Sequence, residues 1–410
     1  MLSCRPLPIA MAVWVQGARN LLIKVGAVNV GVLTGIRVVE MAGIGPGPFC
    51  GMLLADMGAD VIRVDRIDQI DRGINFPSKY DLLNRNKRSI AIDLKSSQGL
   101  EAVKELIKKS DVLIEGFRPG AMEKLGLGPD VCLGLNPKLA YGRMTGWGQD
   151  GSLSRAAGHD LNFIALTGVL DSIGKPGEPP TIPLNLIGDF GGGALYLAMG
   201  LLAAVIEAQR SGEGQVVDAA IVDGVSSLMT MQYSLKQMGQ WSDNRGTNLI
   251  DGGAPFYNVY ETSDGLYVSI APVEGRFYGE MLSRIGLGHE ELPRQNDSKG
   301  WAKLNSRFAE IFKSRTRDEW CQLLEGTDAC FAPVLTTAEY ASHPHSIDRE
   351  AFVEIDGVTN PSPAPRFSRT PSRVTRVPPE IGQDTAEVLK DWGIADEQVD
   401  ALRAANVINN

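Results

Sequence analysis

Short apolar runs alternate with amphipathic stretches over the first half of the chain. The runs at 36–41, 59–65, 89–94 and 111–115 have the length and continuity of strands that are buried on both faces. The stretch at 97–109 instead has apolar residues every three or four positions, which is typical of a helix with one buried face. Strands that alternate with helices predict a Rossmann-like, mostly parallel sheet with helices on both sides.

Two further strands, at 139–144 and 215–219, continue this pattern. In open parallel sheets, ligands bind beyond the carboxyl ends of the strands. Arg66, Arg118 and Thr145 fall at such ends. Arginines in these places can bind phosphates through two parallel hydrogen bonds. Solvated surface charge explains the same arginines equally well, so the pattern alone leaves both interpretations open.

A glycine-rich turn at 43–48 follows the first strand and precedes a predicted helix at 49–57 that ends at Gly58. This strand, helix and second strand form a βαβ unit, and Asp65 lies where a ribose-binding acid would stand. The dinucleotide fingerprint nevertheless fails, because Pro48 occupies the position of its third glycine. The segment therefore does not predict a nicotinamide cofactor site.

The second half of the chain reads as a smaller α+β domain. Glycines and prolines at 246–255 mark the passage to it, and a Thr-Ser-Asp-Gly turn at 262–265 predicts a hairpin. The predicted elements, in chain order, are a long helix at 222–239, strands at 257–261 and 266–271, helices at 276–285, 301–313 and 317–324, and a last helix at 385–392.

Length and composition describe a soluble globular protein. A chain of 410 residues is long enough for two domains. The formal charge of −9 argues against a dedicated nucleic-acid surface. Five scattered cysteines without a C-x-x-C spacing predict reduced thiols, and neither a disulfide framework nor a zinc site. The apolar run at 194–206 is shorter than the about 20 residues of a membrane span, so we expect a buried helix and no membrane partner.

The first 33 residues stand apart from this pattern. Arg5, Arg19 and Lys24 are present, and no acid precedes Glu40. An arginine-bearing segment without acids is typical of a transit peptide, whereas a short apolar run at 9–15 imitates a secretion signal. A misassigned start or a cloned extension fits as well. We expect a cytoplasmic protein, or one imported into an organelle if this segment is a transit peptide.

Two short motifs carry candidate chemistry. Gly158 precedes His159 and Asp160, and Gly188 precedes Asp189. Glycine lets the backbone approach a ligand closely. Asp189 lies just before an apolar helix, so we expect the helix dipole to favour its ionised form. An imidazole and a carboxylate that face one carbon acid would form a two-base proton-transfer site.

The alternative interpretations are structural. An aspartate before a helix is most often an N-cap, and a histidine in an apolar setting is more often part of the packing than a base. Only four histidines occur in the chain, and His159 alone is flanked by glycine and followed by an acid and an apolar run. This scarcity favours function without deciding it.

With these residues in view, the chain resembles the class III CoA-transferase family. The resemblance covers about residues 35–371, and the matching segments are 35–40, 58–65, 93–95, 115–120, 143–149, the motifs at 158–160 and 188–193, and 248–255. It implies an acyl-CoA thioester as substrate, no nucleic acid, and neither a metal nor a redox cofactor.

The resemblance also implies roles for the two motifs. Transferases of the family use an aspartate at the position of Asp189 as a nucleophile, whereas its racemases add a histidine at the position of His159. Having both residues favours a racemase of lipid metabolism that exchanges the C2 proton of 2-methyl-branched acyl-CoA through an enolate. Glu274 matches a glutamate that orients the histidine. The backbone N–H of Asp160 would hold the thioester oxygen.

By the same resemblance, a set of residues would lie along CoA: Arg66, Ala91, Lys95, Gly116, Phe117, Arg118, Lys124 and Met144. Two positions depart from the relatives. Lys124 stands where a relative has arginine, so phosphate contact there would be single-pronged. Phe163 replaces a tyrosine, which removes one hydroxyl.

The fold that the resemblance implies is an interlocked homodimer of large and small domains, with each active site at the interface. We expect an extension of unknown status at 1–33 and a large CoA-binding domain at 34–225, which the segment 360–410 rejoins. A linker helix and the small domain occupy 226–359. Two rival functions remain, a CoA-transferase with Asp189 as nucleophile and a non-catalytic acyl-CoA-binding protein.

Overall fold

The computed structural model describes residues 31–68 and 77–409. Its centre is a sheet of six strands, β1 (Arg37–Met41), β2 (Asp60–Asp65), β3 (Arg88–Ala91), β4 (Val112–Glu115), β5 (Ala140–Thr145) and β6 (Gln215–Ala220). Their order across the sheet is β3-β2-β1-β4-β5-β6, and all neighbours run parallel. The predicted Rossmann-like sheet is confirmed. The order reverses between β1 and β4, which is where such sheets bind ligands.

Helices cover both faces of this sheet. In chain order they are α1 (Pro46–Asp56), α2 (Ser97–Lys108), α3 (Ala121–Lys124), α4 (Pro129–Leu135), α5 (Asp160–Leu166), α6 (Leu195–Ser211) and α7 (Ile221–Leu228). A further helix, α8 (Thr230–Gln237), follows α7 and has no buried residue. Neighbouring strand residues point to opposite faces. Val39 accordingly packs in a core with α2 and α4, whereas Val38 packs in a second core with α1, α5, α6 and α7.

The predicted helix at 222–239 is wrong as a single element. It is two helices, α7 and α8, that meet at Met229. The hydroxyls of Ser226 and Thr230 donate to the carbonyls of Val222 and Ser227 at 2.7 and 2.6 Å. Serine and threonine bonds of this kind compete with the helix ladder and bend helices, which accounts for the break.

The second half of the chain builds its own core around a small antiparallel sheet. The elements are β7 (Asn258–Glu261), β8 (Tyr267–Ile270), α9 (Gly275–Arg284), α10 (Trp301–Phe312), α11 (Arg317–Leu324) and β9 (Phe331–Pro333). The predicted hairpin is confirmed, since β7 and β8 pair antiparallel. Its core combines aliphatic side chains with several aromatic ones, and Phe256, Phe308, Phe312 and Trp320 are all buried in it.

The C-terminal segment returns to the large sheet. It contains α12 (Thr337–Ser342), α13 (Pro344–Asp348), β10 (Phe352–Ile355), β11 (Val358–Pro361), α14 (Thr385–Asp391) and α15 (Asp396–Ala404). Asp384 accepts a hydrogen bond from the Ser89 amide at 2.9 Å, and Ile92 pairs with Ile408. This pairing draws the chain away after β3, so the strand predicted at 89–94 ends at Ala91.

The β10–β11 hairpin was not predicted. Helix α15 was also missed, because the helix at 385–392 was taken as the last one. The proposed extension needs a correction at its end. Leu33 donates its amide to the Met57 carbonyl at 2.9 Å and packs against the core, so 31–33 belong to the fold. The transit peptide and secretion signal considered for 1–30 lie outside the described residues.

A fully buried ion pair fixes the start of α1. The Lys87 ammonium donates to Glu40 Oε1 and to the Pro48 carbonyl, both at 2.9 Å, and to Asn84 Oδ1 at 3.0 Å. Both charged side chains are 0% exposed. A side chain at Gly51 would overlap the Glu40 carboxylate, so the glycine leaves room for the pair. The pair thus ties α1 to the centre of β1.

We expect Lys87→Met to destabilise the fold by about 3–5 kcal/mol, because it leaves the Glu40 carboxylate buried without its cation. Adding Glu40→Leu should recover much of this loss, since neither charge then needs a partner. The control is Lys104→Met, which removes a surface i,i+3 pair with Glu101 and should cost about 0–1 kcal/mol. Denaturant unfolding measures all three, and equal losses for Lys87→Met and Lys104→Met would contradict the assignment.

Candidate active site

The two candidate bases lie on helices that pack against each other. His159 immediately precedes α5. Asp189 lies within a π-helix, Leu186–Ala194, that continues directly into α6. The imidazole is close enough to lower the pKa of the Asp189 carboxyl by its charge. The structure therefore brings together two groups that the sequence separates by thirty positions.

The π-helix corrects the expected role of Asp189 as a residue before a helix. The first N–H groups of a helix have no partner within it. Asp160 of α5 supplies the missing acceptor, since its Oδ1 accepts the amide of Asp189 at 2.6 Å and its carboxylate also interacts with the amide of Gly188. A side chain at Gly188 would overlap this carboxylate. Asp160 is thus the cap of the π-helix, and the carboxylate of Asp189 is left available for other contacts.

The environment of Asp189 also corrects its expected charge preference. Burial raises the pKa of its carboxyl, and the Asp160 charge adds to this effect. The Asn185 amide, which donates to Oδ2 at 3.2 Å, and the His159 charge lower the pKa but do not cancel the effect of burial. A raised carboxyl pKa suits a base that must both take up and release a proton near neutral pH.

The turn before α1 forms one wall beside Asp189. A Cβ on Gly45 would lie 3.3 Å from Asp189 Oδ2, so this backbone approaches the carboxylate closely. One turn later, the rings of Phe49 and Phe190 stack with centroids 4.5 Å apart. The Lys87 pair below this turn therefore supports the wall, since it bonds the Pro48 carbonyl.

His159 is presented to solvent from a restrained backbone. Its side chain is exposed, and its amide donates to Asn162 Oδ1 at 3.1 Å. The ring of Phe163 is wedged between Gly146 and Gly158, where a side chain on either glycine would overlap it, and it meets Trp147 edge-on at 4.7 Å. Phe163 is buried, so it acts on His159 by holding the preceding glycine.

Most of the predicted CoA contacts share the carboxyl edge of the sheet. Arg66 follows β2, Ala91 ends β3, the segment 116–118 follows β4, and Met144 lies near the end of β5. The side chain of Met144 reaches the π-helix, since its Cε would lie 3.4 Å from a Cβ on Gly193. Met144 thus links the strand ends to the element that carries Asp189.

Four cations predicted to lie along CoA are exposed: Arg66, Lys95, Arg118 and Lys124. Within 31–68 and 77–409, none of these four side chains has an acidic partner. Ala91 is different, because it is 0% exposed, lies under Gly382 and donates its amide to Thr385 Oγ1 at 3.1 Å. In a single chain it is covered by the C-terminal segment, so it offers no surface to a ligand.

Glu274 is the candidate that the single chain does not bring to the site. It is exposed just before α9. Burial raises the pKa of the Cys330 thiol, and the charge of Glu274 adds to this effect. Glu274 has no contact with His159 among the described residues.

Two contributors escaped the sequence analysis. The Gly45 turn was noted for its motif but was given no role. Asn185 stands four positions before Asp189, a spacing that places two side chains on one helix face. That signal was missed because the helix was expected to begin only after Asp189. In the described part of the chain, no group of three or more His, Cys, Asp or Glu residues is placed to hold a metal ion.

Comparison with known proteins agrees with this geometry. Residues 33–385 match the family model for CoA-transferase family III, and the chain belongs to this family. It is 46% identical to alpha-methylacyl-CoA racemase of Mus musculus and 43% identical to that of Homo sapiens. Each match extends over 382 residues, which is 92% of this chain and 98% of the relative.

The solved structures support the same assignment. A CaiB/BaiF family protein from Brucella suis superposes with a TM-score of 0.76 at 26% identity. The match covers 88% of this chain and 99% of that protein. The mixed α/β fold inferred from the sequence is therefore the fold of the family.

We expect Asn185→Ala to raise the pKa of Asp189 further, because the hydrogen bond that favours its ionised form is lost. Carbon-13 NMR of aspartate-labelled protein, titrated over pH, measures this directly. The signal of exposed Asp400 is the internal control and should not move. An unchanged or lowered pKa of Asp189 would show that the Asn185 contact does not act on the carboxylate.

Proposed function

We propose that this protein is a racemase that interconverts the (2R) and (2S) forms of 2-methyl-branched acyl-CoA thioesters. The observation that carries the proposal is the pairing of His159 with Asp189 on two packed helices. Identity to two racemases that act on alpha-methylacyl-CoA, over nearly their whole length, supports the same substrate class.

In the proposed mechanism, one base removes the C2 proton and the other reprotonates the opposite face of the enolate. The Asp160 amide belongs to the first turn of α5, where N–H groups have no helical partner. It donates to the thioester oxygen as negative charge develops there. The exposed cations at the sheet edge, Arg66, Arg118 and Lys124, hold the CoA phosphates. No metal or redox group takes part in these steps.

The rival function within the family is CoA transfer, with Asp189 as a nucleophile. The structure leaves the Asp189 carboxylate able to attack an acyl group, because Asp160 performs the capping. A transferase does not need an exposed imidazole beside this carboxylate, and His159 supplies one. The paired bases therefore favour proton transfer over acyl transfer.

We expect the protein to exchange the C2 hydrogen of both epimers with deuterated water in the absence of an acceptor acid. His159→Ala and Asp189→Ala should each slow interconversion about 10²–10⁴-fold and keep exchange from one epimer only, because one base remains. NMR of a 2-methylacyl-CoA reports both quantities.

Exposed His289→Ala and Asp400→Asn are matched controls that should keep full activity. CoA movement to an added carboxylic acid, without C2 exchange, would favour the transferase. Binding of CoA without either reaction would favour the non-catalytic binding protein.

We further propose that the working form is an interlocked homodimer. In a single chain, α6 exposes Leu195, Met199 and Ile206 on one face, at 50, 61 and 56%. Helix α6 was predicted to be buried, and only its inner face is. The 26-residue helix Leu186–Ser211 passes the length and composition test for a membrane span, with 39% of its apolar window buried.

The inner face of this helix packs in the same core as α1 and α7, so a lipid environment would meet only the outer stripe. A second copy that covers the stripe buries these apolar side chains and accounts for their exposure. The same assembly lets Glu274 of the small domain reach a histidine on another chain. We propose 31–225 with 360–410 as the large domain and 226–359 as the linker and small domain.

Subunit complementation tests whether Glu274 acts across chains. We expect a heterodimer of a Glu274→Ala chain and a His159→Ala chain, isolated through two affinity tags, to regain about half the activity of the wild-type dimer, because one of its two sites is complete. The matched control pairs a His159→Ala chain with an Asp189→Ala chain. Both residues belong to the site of their own chain, so each of the two sites lacks one base and no activity returns. Activity no higher than that of the single variants would place Glu274 in its own subunit's site or outside the site.

A further inference from the structure

We propose that the side chain of Asp160 is a positioning residue for the proton transfer: its carboxylate sets the spacing between the two bases and places a negative charge beside Asp189. The proposal rests on the proposed function and deepens it. It is separate from the role of the Asp160 backbone N–H at the enolate oxygen.

The spacing follows from one rigid connection. Asp160 directly follows His159 in the chain, and its Oδ1 binds the amide of Asp189 at 2.6 Å. A single side chain therefore joins the backbone of one base to the backbone of the other. Asp160 is only 6% exposed. Gly188 leaves room for its carboxylate, because a side chain at that position would overlap it. Neither group can shift without breaking the cap.

The charge follows from the incomplete neutralisation of the carboxylate. Oδ1 accepts the amide of Asp189 and the carboxylate also interacts with that of Gly188, whereas Oδ2 is buried and has no assigned hydrogen-bond partner among the described residues. No cation pairs with Asp160 in this part of the chain. Burial raises the pKa of the Asp160 carboxyl itself, and the two amides lower it without cancelling that effect. In its ionised form, Asp160 disfavours a second negative charge on Asp189.

The charged groups around Asp189 are few. Asp160 and His159, both at the start of α5, are the described groups whose charges act on it. The π-helix contributes the neutral amide of Asn185, and the adjoining starts of α1 and α7 contribute no charge that acts on Asp189. A change of charge at Asp160 therefore has a direct effect on the titration of Asp189, with one opposing group, His159.

A neutral cap separates the two roles. Asp160→Asn keeps an oxygen at the place of Oδ1 and removes the charge. The pKa of Asp189 should fall in this variant. C2 exchange of the epimer whose proton Asp189 removes should therefore persist to lower pH than in the wild type. Asp160→Ala removes the cap as well, and a displaced base should slow C2 exchange from both epimers about 100-fold.

The experiment follows deuterium incorporation at C2 of each separate epimer over pH for the wild type and both variants. Asp400→Asn is the matched control, because its carboxylate is exposed and lies at a surface pair with Arg403. Gly188→Ala is a second way to break the cap and should reproduce the loss seen in Asp160→Ala. Thermal unfolding checks that the variants remain folded.

If the pH profiles of C2 exchange coincide for Asp160→Asn and the wild type with both epimers, the proposed effect of the Asp160 charge is wrong. Full exchange from both epimers in Asp160→Ala would overturn the spacing. If the wild type exchanges no C2 hydrogen, the proposed function fails instead. Carbon-13 titration of Asp189 in the wild type and Asp160→Asn then still decides whether the Asp160 charge acts on it, since this readout needs no substrate.

Discussion

The unpaired N–H groups at the start of the π-helix are the constraint on which the site depends. A helix end that is shielded from water needs acceptors for these groups. Here the acceptor is Asp160, which belongs to a different helix and directly follows His159. Satisfying the backbone of one element therefore positions the other. If Asp189 had capped its own helix, its carboxylate would have been occupied and the two bases would have had no fixed relation.

The large sheet gives this arrangement its support. Parallel strands place all their carboxyl ends at one edge, and the fully buried Lys87–Glu40 pair holds the start of α1 against β1. The turn that α1 starts from lies beside Asp189, and Met144 at the end of β5 touches the π-helix. Buried charge in the sheet and exposed cations at its edge thus have separate tasks: the first fixes the backbone, and the second is available to phosphates.

The sequence predicted the sheet well because strands that are buried on both faces read as apolar runs, whatever lies around them. It predicted the π-helix poorly. Five of its nine residues are glycine or alanine, so no period of 3.6 marks it, and the segment 188–193 was expected only to lead into the apolar helix that follows. The break at Met229 depended on hydroxyl bonds that periodicity does not register. Glu274 is exposed just before α9 and has no hydrogen bond or ion pair with His159 among the described residues, which no sequence pattern indicates.

The same carboxylate can be a nucleophile or a base, and its surroundings favour one use. Burial and a neighbouring negative charge raise the pKa of Asp189, which brings its protonated and ionised forms closer in free energy at neutral pH. A base that must return a proton on the next turnover needs this balance, whereas a nucleophile needs the ionised form throughout. His159 offers the complementary proton on the neighbouring helix. In the proposed reaction, these two features make the Asp189 carboxylate one half of a proton relay.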